Sequence, residues 1–307
     1  YGLPALGILL PGAVSVSLLL AAIPLGLLSA GKIYSFREYR EINQQLLADS
    51  LHQMDSVKPN AKTVSEKKIS TDTTISSDRK GFEYLNELFI KRHRKILWNS
   101  AEKIASVCAF LVCGTMLFLY LKPELKPVVN ELVLTWLPYF AFIMYAINRG
   151  TGFTQALFMN CDHSLLTYSF YKQPGFVLKL FRIRLREIIK INAVPALVMG
   201  VGLALLLFVS GGTPQPLNYA VLVVSVLCMS VFFSIHYLTI YYLLQPYTAG
   251  TQMKGGTYRL VSILTYLGCY YLMQIRMQTL VFGVMTIVFC VLYSILACIL
   301  VYKLAPK

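Results

Sequence analysis

Acidic side chains are scarce in this chain of 307 residues: 14 Asp and Glu stand against 28 Lys and Arg, for a net charge of +14. No carboxylate lies well inside a long apolar run, and Glu102 and Glu131 sit only at run ends. A proton-coupled secondary transporter ordinarily needs an intramembrane carboxylate, so this lack counts against that class. Also missing are a Walker A glycine loop, GxSxG, HExxH and a Rossmann glycine pattern after a strand. The seven cysteines (Cys108, Cys113, Cys161, Cys228, Cys269, Cys290, Cys298) contain no CxxC pair. They indicate neither a disulfide framework nor a zinc or other metal site, and read as small apolar packing residues.

Apolar residues are what the chain has in excess, 56% against 14% charged. That composition describes an all-α polytopic membrane protein and not an ordinary soluble domain. The cations cluster beside hydrophobic runs, where anionic lipid is the expected counter-charge, so the net charge is no argument for nucleic acid.

About seven transmembrane helices are expected, at 3–30, 101–121, 132–147, 193–209, 219–244, 260–273 and 280–302. Residues 1–30 are too long an apolar stretch for a signal peptide and lack a basic leader. The chain opens at Tyr1, almost inside that run, so a preceding N-terminal portion is expected. Residues 31–81 read as a cytoplasmic helix followed by a Ser-, Thr- and Lys-rich disordered linker. Run 260–273 is short for a span, and 274–279, with Arg276, is a polar break that could form a re-entrant piece if protein buries it.

Two amphipathic helices are expected to lie along the inner leaflet. The first, 82–98, puts Phe82, Leu85, Phe89 and Ile96 on one arc and carries the basic cluster Lys91, Arg92, Arg94, Lys95. The second starts at Pro174, with Lys179, Arg182, Arg186 and Lys190 toward headgroups and Phe181, Leu185 and Ile188 opposite. Placing 30–103, 148–192, 247–259 and the C-terminus in the cytoplasm leaves only Lys122, Lys126 and Arg276 of the 28 cations outside. The expectation is a multi-pass protein of the cell membrane with a cytoplasmic C-terminus.

The stretch 148–192 organises the chain, because seven cations (Arg149, Lys172, Lys179, Arg182, Arg184, Arg186, Lys190) keep it out of lipid between two apolar runs. Its first half, 151–173, is dense in Gln155, Asn160, Asp162, His163, Tyr168 and Tyr171, a mixture suited to docking a cytoplasmic protein. The plain alternative is a loop that obeys the positive-inside rule and does nothing more. Deeper in the chain, His236 is an ionisable group well inside a span, and it shares a helix face with Phe233 and Tyr237. These three are candidates for a translocation path, against the alternative that they simply pack helices together.

From residue 82 onward the order is amphipathic helix, two spans joined outside, a large cytoplasmic loop, then four spans. That order, with the wording FMNCDHSLLTYSFYKQP, resembles the six-helix permease subunit of bacterial ABC-2 type ABC exporters. The resemblance covers about residues 82–307 and implies a six-helix bundle whose loop 148–192 holds the coupling helix. It implies docking of cytoplasmic ABC ATPase subunits through 151–173, with ATP and magnesium on those partners and no cofactor in this chain. It further implies a second transmembrane half or protomer, and export of a peptide, lipid or hydrophobic compound. Span 3–30 is extra to the six and runs in the direction of a sixth span, as the end of a preceding half would. The rival readings are a secondary transporter using His236 and, more remotely, a lipid-modifying enzyme using His163 and Asp162 near headgroups.

Overall fold

Long apolar runs punctuated by proline at helix starts give helices throughout, and the computed structural model contains no strand among the described residues. It describes residues 76–162, 173–247 and 255–305, with Pro24, Leu28, Glu41, Gln44 and Gln45. The chain divides into two units, 1–65 and 66–307, and the helices of the apolar bundle all belong to the second. The expected span 3–30 and almost all of the helix and linker at 31–81 lie outside the described residues.

In order, the elements are α1 (Phe82–Arg92), α2 (Arg94–Leu121), a 3-10 turn (Pro123–Leu125), α3 (Lys126–Thr135), α4 (Leu137–Ile147) and α5 (Gly150–Leu157). A π-helical turn (Phe158–Asp162) follows, then α6 (Pro174–Val209), α7 (Leu217–Leu244), α8 (Gly256–Met273) and α9 (Thr279–Leu304). Four segments are long and apolar enough to cross a membrane: Leu97–Leu121, Pro174–Val209, Leu217–Leu244 and Thr279–Leu304. The expected span 132–147 is instead broken. α3 and α4 meet at Trp136 with a bend of 73°, and the pair counts at most as a fifth, broken crossing. α8 is not among the four, since Arg259, Ser262, Thr265 and Gly268 dilute its 18 residues. Four helices, or five with the broken pair, are thus long and apolar enough to cross among the described residues, where six of the seven expected spans fall; the seventh, 3–30, lies outside them.

α6 and α7 form the centre, packed on each other, with α2 against α6, α9 against α7 and α8 against α4. Their most apolar stretches are 56% and 61% buried, against 22% for α2 and 17% for α9. The outer two helices thus turn most of their apolar surface outward, as lipid-facing helices do. Close approach of α2 to α6 requires Gly202: a Cβ there would lie 2.7 Å from Val112 Cγ2.

The break in the second crossing leaves carbonyls of α3 without helical partners, and segment 274–279 supplies donors. Met277 N–H donates to Thr135 O at 3.0 Å, and Thr279 Oγ1 lies 3.0 and 2.9 Å from Val133 O and Leu134 O. Arg276 covers the Trp136 ring at 5.1 Å. Irregular backbone at the edge of an apolar layer needs such partners.

Two expectations about amphipathic helices are corrected. The helix expected at 82–98 stops at His93, so Arg94 and Lys95 belong to the first turn of α2. The helix starting at Pro174 is not separate: α6 runs unbroken for 36 residues, past the internal Pro195, into its crossing. At about 1.5 Å per residue it is ~54 Å long, more than a hydrocarbon core of ~30 Å needs, and its basic half continues the axis of its apolar half without a break between helices. Its other face is buried by protein. Val177, Phe181, Ile188 and Ile191 pack with Phe89, Leu97, Phe153 and Leu157 in one apolar cluster on the basic side. Outside the hydrocarbon this cluster is held by water exclusion, at ~1.5–3 kcal/mol for each large side chain fully buried.

Candidate functional site

The polar chemistry concentrates where α1, α5, α6 and α7 meet on the basic side. α5 opens with Asn148, whose Oδ1 accepts from Gly150 N–H at 2.7 Å, an Asx-type start. Gly150 is required there, because a Cβ would sit 2.5 Å from Tyr237 Cβ on α7. Asn192 of α6 secures the same corner: its Oδ1 accepts from Arg149 N–H at 3.0 Å, its Nδ2 donates to Ser234 Oγ at 2.9 Å, and its carbonyl accepts from Ser230 Oγ at 3.1 Å.

At the end of the π-helical turn that follows α5 the chain reaches Asp162, which is 2% exposed. Arg184 of α6, 1% exposed, donates Nη1 to Asp162 Oδ2 at 2.8 Å and Nη2 to Asp162 Oδ1, a two-pronged ion pair. Tyr241 donates its hydroxyl to Asp162 Oδ2 at 2.5 Å. Arg184 also donates Nη1 to Tyr242 OH at 2.7 Å and Nε to Asn86 Oδ1 at 3.3 Å. One guanidinium therefore ties together α1 (Asn86), the π-turn (Asp162) and α7 (Tyr242), with α6 as its base.

After α7 the chain reverses at Gln245, whose φ of 40° is left-handed, and brings Tyr247 back beneath α5. Tyr247 OH lies 3.2 Å from Thr154 Oγ1, and burial pushes its phenol up to about 12. Burial likewise raises the Cys161 thiol, with the Arg184 charge opposing.

Of the residues expected to dock a partner, Gln155 is partly exposed on α5, while His163, Tyr168, Tyr171 and the side chain of Asn160 lie outside the described residues. Asp162 needs correction as a contact residue: its carboxylate is buried and spent on Arg184 and Tyr241. The pairing of His163 with Asp162 as acid and base has the same difficulty on the Asp162 side. Lys91, Arg92, Arg94, Lys95, Lys179, Arg182, Arg186 and Lys190 are all exposed.

The residue that sequence reasoning passed over is Arg184. A signal was present: at 100° per residue it falls on the arc of Phe181 and Ile188, opposite the basic stripe. A charge on the apolar face of an amphipathic helix needs a buried partner.

The intramembrane group separates. Phe233 lines an apolar cavity of about 280 Å³ with Ala141, Met229, Phe232, Cys269 and Phe282. Tyr237 is buried in the central core. His236 bridges three helices, with Nδ1 2.8 Å from Tyr293 OH on α9 and Nε2 2.9 Å from Thr265 Oγ1 on α8. Thr265 donates its own hydrogen to Val261 O at 2.8 Å, so it accepts from His236 Nε2–H, and Tyr293 donates to Nδ1. Both ring nitrogens of a neutral imidazole are thereby satisfied.

On the opposite side a cleft of about 680 Å³ opens between α3, the α6–α7 loop and the α8–α9 loop. Among the described residues no group of three or more His, Cys, Asp or Glu could hold a metal ion. No protein-family model, curated protein or solved structure matches the chain.

Proposed function

We propose that this chain is the permease subunit of an ATP-driven exporter of the ABC-2 type, with its basic side in the cytoplasm and ATP hydrolysed on partner subunits. The observation that carries the proposal is the buried link from Asp162 to Arg184, Tyr241, Tyr242 and Asn86. A cytoplasmic loop that transmits force must be fastened to the helices it moves, and interfaces with two discrete packings pass such displacements on. Here the loop is fastened at three levels: Arg149 to Asn192, Thr154 to Tyr247, and Asp162 to Arg184. All three connect to α6 or to the α7 end, the two central helices.

In this reading an ATPase docks on Gln155 and the 163–173 stretch. Its closure tilts α5 and the π-turn, and α6 and α7 follow as a unit. The broken crossing at Trp136, held by segment 274–279, supports an opening on the far side. The apolar, nearly uncharged interior suits a peptide, lipid or hydrophobic cargo. A second copy or half completes the path.

The test is purification of the tagged chain from its host in mild detergent, followed by an ATPase assay. A stoichiometric nucleotide-binding subunit is expected. Gln155→Arg and Tyr168→Ala should release it, whereas the double variant Asp162→Leu, Arg184→Met, which leaves no unpaired buried charge, should retain it yet lose stimulation of hydrolysis by cargo. A chain that purifies alone and without ATPase activity overturns the reading.

A further inference from the structure

The register between α2 and α6 fixes how far the basic stripe of α6 stands from the lipid. Gly202 lies against Val112, and Leu97 and Ala101 share a cluster with Ile188 and Ile191, so residue n of α2 is level with about n + 90 of α6. Taking the hydrocarbon on α2 between exposed Lys122 and exposed Glu102–Lys103 gives a stretch of ~30 Å at 1.5 Å per residue, the apolar core of the candidate crossing Leu97–Leu121. The membrane boundary on α6 is therefore level with Asn192. Counting back from it, Lys190 is ~3 Å and Arg186 ~9 Å beyond the hydrocarbon, but Arg182 is ~15 Å and Lys179 ~20 Å beyond it. A headgroup layer is only ~5–8 Å deep on each side. Arg182 and Lys179 thus lie at the end of α6 farthest from the apolar layer.

Together with Arg186 these two line a cleft of about 460 Å³ between α6 and α1, floored by Leu178 and Ile183 and edged by Glu83. Spacings of three and four residues bring the three cations within a 60° arc of the helix. The carboxylates nearby are already engaged. Glu187 sits 2.9 Å from Lys190 and 3.8 Å from Arg186, and Glu83 is held by Arg79 at 3.4 Å. Lys179 and Arg182 have no ion pair among the described residues. Charge compensation is thus confined to the membrane end of the stripe, while the far end keeps its positive field.

We propose that this cleft binds a phosphate-bearing anion from the aqueous phase on the basic side. Two guanidinium groups and an ammonium lining one cleft suit a phosphate, which accepts several charge-assisted hydrogen bonds at once. The cleft's size is that of a small-molecule site. The proposal is independent of the exporter reading.

The experiment is calorimetric titration of inorganic pyrophosphate into the full chain, both in neutral maltoside detergent and in phosphatidylcholine nanodiscs. Saturable binding is expected in both. It should weaken about tenfold in Lys179→Gln and in Arg182→Gln and stay unchanged in Lys190→Gln, with melting temperatures unaltered because these side chains are exposed. Nanodiscs containing phosphatidylglycerol should give the same affinity. Loss of pyrophosphate binding to competing phosphatidylglycerol would assign the cleft to lipid headgroups and overturn the proposal. Equal affinity for hexaglutamate, or for the Lys179→Gln, Arg182→Gln double variant, would overturn it as well.

Discussion

Arg184 and Asp162 meet through both prongs of the guanidinium with 1% and 2% of their side chains exposed, 22 residues apart in sequence and on different elements. Neither group could be buried alone, because an unpaired charge out of water costs several kcal/mol even after relaxation. The pair is completed by Tyr241 and Tyr242, which are themselves adjacent at the end of α7. Burial of the loop end and burial of the α6 stem are therefore one event.

Removing one partner should cost far more than removing both. Arg184→Met strands the Asp162 carboxylate and is expected to destabilise the fold by about 3–5 kcal/mol. The double variant Asp162→Leu, Arg184→Met should recover most of that loss. Denaturant unfolding in detergent gives both values, and additive effects of the two single changes would contradict a coupled pair.

The sequence made the apolar architecture legible, and four of the expected runs coincide with the four long helices. The continuity of α6 was hidden, because an apolar arc opposite a cationic one looks the same whether it faces acyl chains or protein. In fact Phe181 and Ile188 face Phe89, Phe153 and Leu157. The break at Trp136 was not hidden in the same way. Pro138, inside 132–147, was the available signal, because a proline within a helical pattern ends or kinks the helix just before it and suits the first turn of a new one. Segment 274–279 was recognised as irregular, but its attachment to α3 is a long-range contact that local pattern does not carry.

That attachment gives a second prediction. Thr279→Val keeps the side-chain shape while removing the donor to Val133 O and Leu134 O. The loss should be about 1 kcal/mol, and it should raise amide exchange in α3 near the break while leaving α6 unaffected. Unchanged exchange at 133–136 would mean that the contact does not hold the broken crossing.

Tyr247 makes the fold sensitive to alkali. Its phenol is raised by burial to about 12 from an ordinary value near 10. The unfolded chain therefore loses this proton first as pH rises. The stabilising contribution is whole below pH 10 and disappears between about 10 and 12. The late-titrating part of the phenolate absorbance should fall by one phenol in Tyr247→Phe, and that variant should lose the corresponding part of the alkaline destabilisation. A Tyr247 that titrates near 10 would contradict its burial under α5.

His236 decides between a cross-link and a proton path. Tyr293 and Thr265 occupy both ring nitrogens from two other helices, so replacement by Ala leaves the Tyr293 hydroxyl without its acceptor and Thr265 Oγ1 without its donor, and should cost about 1–2 kcal/mol. Gln places an amide with one donor and one acceptor near the same positions, and is expected to restore much of the stability. The discriminating readout is transport as a function of pH in reconstituted vesicles. A cross-link predicts that His236→Gln transports with an unchanged pH profile, because a neutral, doubly bonded imidazole carries no proton in the cycle. A relay predicts that the same variant is folded and inactive. Stability and flux must therefore be measured on one preparation, and a folded, silent His236→Gln would move the function from the loop at Asp162 to the middle of the membrane.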